Sequence, residues 1–141
     1  MSRVSLTLPL VVQVLLTIVL YVVLVVRKKR AARAGEVNEA RRALFEDAWP
    51  DHVIQVNNCI RNQFEVPVLF YVLALSLCVL DAVDGWAVGV AWAFVASRIA
   101  HALVHTTRNH VPTRRRIFTV GVVLVLVFAG LVARAALSAS A

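Results

Sequence analysis

Apolar runs long enough to cross the hydrocarbon core of a bilayer, which takes about 20 residues at 1.5 Å each, occur four times: Leu6 to Val26, Ile54 to Leu80, Trp86 to Val104 and Ile117 to Ala136. They predict an all-α membrane protein, a four-transmembrane-helix bundle, with residues 1-141 as a single domain and helices at about 6-26, 54-80, 86-104 and 117-136. Asp81 to Gly85 is a tight turn, so the second and third helices are expected to be antiparallel neighbours. The one long connection contains EVNEARRALFEDAWP, rich in helix formers and ending at Pro50. It reads either as a helical extension or interfacial turn with Trp49 at headgroup level, or as a solvated linker. Trp86 is the counterpart of Trp49 at the opposite interface.

The second apolar run is entered through VNNCIRNQFEVP, residues 56 to 67. A charged side chain at membrane depth costs roughly 2.5 to 3.5 kcal/mol on insertion scales, so such residues are rare and tend to mark sites. At 100° per residue, Gln55, Asn58, Arg61, Asn62 and Glu65 fall within an arc of about 120°, while Gln63 points away. Polar residues also serve as glue between transmembrane helices, with typical gains below about 1 kcal/mol. Five polar groups on one arc exceed what glue requires, and the face reads as a pocket for a polar ligand. The third run supplies a matching face: in VASRIAHALVH, Arg98, His101 and His105 lie within about 60° of one another. At the helical rise of about 1.5 Å per residue, Glu65 and Arg98 lie at comparable depths, measured from the ends of their helices on the same side of the bundle. A Glu65 to Arg98 pair is therefore within reach, and either residue could instead meet a neighbouring subunit. His101 and His105 have the spacing of metal ligands, but HALVH lacks the acid of HExxH and no third ligand is placed by sequence. No metal is expected; the histidines read as hydrogen-bonded side chains.

Composition agrees with this picture: 60% of the 141 residues are hydrophobic, too apolar for an ordinary soluble domain. The net charge of +7 changes it only by adding a topology. Residues 27 to 53 and 105 to 116 hold eleven arginines and lysines on one side of the bundle, against Arg3 and Arg134 on the other. By the positive-inside rule both connections are cytoplasmic and both termini extracytoplasmic, in the cell membrane if the source is bacterial. The polar face then opens toward the cytoplasm. The basic surplus reads as topology and attraction to anionic headgroups, with no nucleic acid expected as a partner. The first run is not a cleaved signal, because its charges follow the apolar core, which is also too long. Cys59 and Cys78 lie nearly 30 Å apart along one helix at the helical rise, too far to pair with each other, and they carry no redox signal.

The fourth run begins after TRRRIFTVG. This cluster is either a stop-transfer signal or the source of one arginine turned inward, where a guanidinium would stay charged and bind a carboxylate or thiolate.

Taken together these residues resemble the MAPEG family, the membrane-associated proteins of eicosanoid and glutathione metabolism. The resemblance rests on four helices, on Asn62 and Glu65 followed by a proline, on RIAH at Arg98 to His101, and on an arginine shortly before FTVG. It implies a homotrimer with glutathione, as co-substrate, held between subunits near the cytoplasmic helix ends. Asn62 and Glu65 are similar to the family's glutathione contacts, Glu65 holding the ligand's amine. Asn58, Arg61, Arg98, His101 and His105 complete the expected binding set, and Arg114 is similar to the arginine that stabilises the thiolate, with Arg115 and Arg116 as rivals. The chain departs from the family pattern at Asn58, where the transferases carry an arginine, at Val66, and at His101 and His105, where a tyrosine is missing. The leading expectation is a membrane-embedded glutathione transferase or peroxidase acting on a lipophilic small molecule. The alternative is a non-catalytic lipid-binding protein, like the family's lipoxygenase-activating member. A small proton-coupled transporter using Glu65 comes third, since no pair of broken helices is visible.

Overall fold

A computed structural model describes residues 4–139. They form α1 (Val4–Arg33), α2 (Asp51–Arg61), α3 (Val66–Val79), α4 (Gly85–Thr106) and α5 (Val111–Ala139), with no strand among the described residues. Four segments are long and apolar enough to cross a membrane: α1, the combined α2 and α3, α4, and α5. The protein is an integral, multi-pass α-helical membrane protein. α1 and α5 run past the apolar limits read from sequence, because a helix stays hydrogen-bonded beyond the hydrocarbon and Arg27 to Arg33 simply extend the last turns of α1.

The expected second helix, 54-80, is not one continuous rod. It breaks at a 3-10 turn, Asn62–Phe64, and Glu65 has φ −101° and ψ −100°. The cause lies two residues on: Pro67 has no N–H to offer the carbonyl of Gln63, and its ring would crowd that carbonyl in an α-helix. The break swings Glu65 off the arc predicted for an unbroken helix, onto the exposed surface. One broken span still falls short of the transporter pattern, which uses a pair in corresponding positions.

The connection between α1 and α2 is neither a long helix nor a free linker. It makes a series of turns, then a short 3-10 piece, Glu46–Ala48, and is held to the bundle by contacts of its own. Lys28 Nζ stands 4.7 Å over the Trp49 ring, and Glu46 accepts from Asn57 Nδ2 at 2.8 Å and pairs with Arg61. Arg27 joins three helices, its Nη1 donating to His52 O at 2.7 Å and its Nη2 to Thr106 O at 2.6 Å. The second bond satisfies a carbonyl in the last turn of α4, where a cation also suits the helix dipole. At the other end Asp84 caps α4, accepting from Ala87 N at 2.8 Å, and meets Arg134 of α5 at 3.2 Å.

α4 is the central helix, with 44% of its span buried against 17% for α5. Lipid tails are as apolar as leucine, so close packing holds such a bundle together instead of the hydrophobic effect. Phe70 of α3 stacks on Phe94 of α4 with centroids 4.4 Å apart, and meets Phe128 of α5 edge-on at 5.6 Å. α3 and α4 are thus neighbours through large side chains, while α4 and α5 approach more closely along their backbones. Gly121 faces α4 at this approach, where a Cβ in its place would meet Ser97 Oγ at 3.4 Å, an ordinary contact distance. The inward turn of Gln63 also has a partner: Gln13 Nε2 donates to Gln63 Oε1 at 3.0 Å in the buried interior.

Candidate functional site: a cationic cleft at the arginine-rich end

The break in the second span places Asn62 opposite the last turns of α4 and the first of α5. Asn62, His101, Val111, Arg114, Arg115 and Phe118 line one open cleft of ≈ 280 Å³. Asn62 Nδ2 lies 3.4 Å from His105 Nδ1, and its backbone carbonyl accepts from Arg98 Nη2 at 3.3 Å. Arg98 is fully buried, and its Nε and Nη1 have no hydrogen-bond partner among the described residues. Buried donors are nearly always satisfied, so two left over on one guanidinium call for an explanation such as an absent ligand. Phe118 gives the guanidinium an aromatic face at 5.7 Å and touches His101 at 5.8 Å.

α5 begins early enough to bring its arginines to this cleft. Asn109, at φ 47°, adopts the left-handed conformation that asparagine tolerates and turns the chain between α4 and α5. Its Oδ1 then accepts from Arg114 Nη1 at 2.5 Å. Arg114 is half-buried in the cleft wall, Arg115 is exposed along it, and Arg116 is not among the lining residues.

Of the residues singled out in the sequence, Asn62, Arg98, His101, His105 and Arg114 are brought together. Others are not. Asn58 sits beside Gln55 and Asn109 in an adjoining cleft, Arg61 is exposed and engaged with Glu46, and Glu65 is exposed with no ion pair among the described residues. The Glu65 to Arg98 pair is therefore not formed within the subunit. Two residues of the site region escaped the sequence reading. Phe118 looked like ordinary span residue, and Cys59 lies one turn before Asn62 and Gln63, just off the polar arc, where it packs toward α4.

The cleft is cationic. Two guanidiniums, Arg114 and Arg115, line it, a third, Arg98, sits buried behind Asn62, and no carboxylate lines it. Arginine suits carboxylates and thiolates at partly desolvated positions. A multi-pass α-helical membrane protein with such a cleft at one end is the class that fold and site define. Residues 6–134 match the MAPEG family, nearly the whole chain, and the protein belongs to it. Neither a curated protein nor a solved structure gives a significant match. Membership places the protein among membrane proteins of glutathione and eicosanoid metabolism, and members of the family generally use glutathione.

Proposed function

We propose that the protein is a membrane-embedded thiol transferase or peroxidase that uses glutathione against lipophilic electrophiles. The observation that carries this reading is one cleft lined by Asn62 and Arg114, with Arg98 buried behind Asn62 and two of its donors unspent. Glutathione fits that donor set: its carboxylates and thiolate are the anions such guanidiniums hold. A free thiol titrates near about 8.5, and an adjacent arginine lowers that value, raising the thiolate fraction available for attack. The electrophile reaches the thiolate from the lipid phase. Orientation and positive charge are all the protein has to supply. Titrating the purified protein with glutathione by calorimetry tests the reading: saturable binding supports it, and no heat at millimolar glutathione removes it.

A second reading, non-catalytic lipid binding, is favoured by two apolar grooves of ≈ 350 Å³ each on the α1 and α3 face, lined by Val14 and Tyr71 among others. An acyl chain matches their lining. The calorimetric experiment separates the two, since a lipid binder has no need of the thiol.

The working unit is proposed to be a homotrimer. Glu65 is exposed on a span long and apolar enough to cross a membrane, and a carboxylate facing lipid there would be costly. The weakly buried face of α5 and the exposed Glu65 are both resolved if a second copy covers them, bringing Glu65 to a neighbour's cleft. Native mass measurement in mild detergent is expected to give three copies, and a stable active monomer would exclude the intersubunit site.

Both termini are proposed to be extracytoplasmic, with the arginine-rich end and the cleft facing the cytoplasm. Cysteines introduced at Ser5 and Ser138 are expected to react with an impermeant reagent in intact cells. Reaction only after lysis would reverse the orientation.

A further inference from the structure

Cys59 of α2 meets His101 and His105 of α4 inside the bundle. One ligand atom from each, the thiol Sγ and a ring nitrogen of both histidines, lies within 4.8 Å of the others. The three residues are 0%, 2% and 3% exposed. His101 and His105 stand one turn apart on the same helix face, and Cys59 supplies the third point from the helix opposite. That third ligand is what the sequence did not place. Bonds of 2.0 to 2.3 Å to a single ion would set ligand atoms roughly 3.3 to 3.8 Å apart, so small side-chain rotations close the remaining gap. His101 Nδ1 is buried without a hydrogen-bond partner among the described residues, an unspent polar atom of the kind that signals a missing ion or ligand.

We propose that Cys59, His101 and His105 form a site for one Cu(I) ion per subunit. Three considerations select this ion. A thiolate with two imidazoles is a soft donor set, suited to Cu(I). Binding releases the thiol proton, so thiolate and Cu(I) together are neutral, whereas Zn(II) would leave a net positive charge in the apolar interior near buried Arg98. Structural Zn(II) also demands a fourth ligand, and no fourth His, Cys, Asp or Glu joins the cluster among the described residues. Asn62 completes the surroundings: its Nδ2 lies 3.4 Å from His105 Nδ1, and a half-turn of the amide would bring Oδ1 there to accept the ring N–H and leave Nε2 to ligate, as second partners of metal-bound histidines do. His101 also lines the cleft, which supplies a path of entry.

The site does not depend on thiol transfer, and its test omits glutathione, itself a copper ligand. Protein purified in detergent is titrated anaerobically with Cu(I) in competition with bicinchoninate. The expected result is one Cu(I) per subunit, with an X-ray absorption spectrum fitting one sulfur and two nitrogens. Cys59→Ser and His105→Ala should each weaken binding by about 100-fold or more, since loss of a second partner alone costs roughly 10- to 100-fold, while Cys78→Ser should bind as the unmodified protein does. Copper left with the competitor, a spectrum without sulfur, equal loss in Cys78→Ser, or displacement by equimolar Zn(II) overturns the proposal. The stoichiometry and spectrum of the unmodified protein decide the matter even if a variant misfolds.

Discussion

Arg114→Ala is expected to slow conjugation at neutral pH by roughly tenfold for each unit by which Arg114 lowers the bound thiol's pKa, and to recover as the pH rises. The sign follows from what reacts. Below its pKa the thiolate fraction rises tenfold per pH unit; above it the thiol is already ionised and the arginine has nothing left to contribute. Without Arg114 the bound thiol returns toward about 8.5, so the defect is largest near pH 7 and shrinks above pH 9. Glu65→Gln should fail differently. If Glu65 of a neighbouring subunit holds the ligand's amine, losing one charged hydrogen bond weakens glutathione binding by about 1.5 to 3 kcal/mol, with chemistry at saturation less affected. Thiolate absorbance and conjugation rate against pH, measured on both variants, separate the two roles. A flat ratio of Arg114→Ala to unmodified rates across pH would remove the thiolate role from Arg114. The same profile appearing instead in Arg115→Ala would transfer that role to the other arginine along the cleft.

The second large effect is expected at the aromatic contact of three helices. Phe70→Ala removes a ring that is fully buried, stacked on Phe94 and edge-on to Phe128. In a soluble core such truncations cost about 3 to 5 kcal/mol, partly for transfer and partly for the cavity left behind. Within a bilayer the transfer part is small, because the alternative environment is also apolar, yet the lost packing is undiminished and is what holds these helices together. A loss of about 2 kcal/mol or more is therefore expected, read as an earlier midpoint in detergent-driven unfolding. The effect should reach the cleft as well, since α4 carries Arg98 and His101 and α5 carries Arg114. Glutathione binding should weaken together with stability, and Phe70→Leu, which refills most of the space, should restore much of both. An unchanged unfolding midpoint in Phe70→Ala would show that the three rings do not bear the packing assigned to them.

Much of this architecture is legible in the sequence because its solvent is so selective. A bilayer admits few backbone solutions, so four long apolar runs already define four spans, and a short turn at Asp81 to Gly85 already reverses the chain. Side-chain periodicity then puts Asn62, Arg98, His101 and His105 on inward faces, and these four do converge. The turn of Gln63 away from the polar arc was also readable, though Gln13 as its partner was not, because nothing in local periodicity names a residue fifty positions away.

The tertiary structure decided what depends on backbone breaks and on contacts between helices. Pro67 was visible in the sequence, but only the folded chain sets where its effect is absorbed, at Asn62–Phe64, and so moves Glu65 out of the arc and off Arg98. Arg61 looked like a pocket residue until the 37 to 49 connection folded back and gave it Glu46. Which arginine of the cluster lines the cleft depends on the phase of α5, set by the turn at Asn109, and that turn is held by Arg114 itself. Cys59 was the least legible of all. Its own helix says only that it faces inward, and its meeting with two histidines some forty residues further on follows from the packing of α2 against α4, a matter of side-chain volume and helix approach that no single segment encodes.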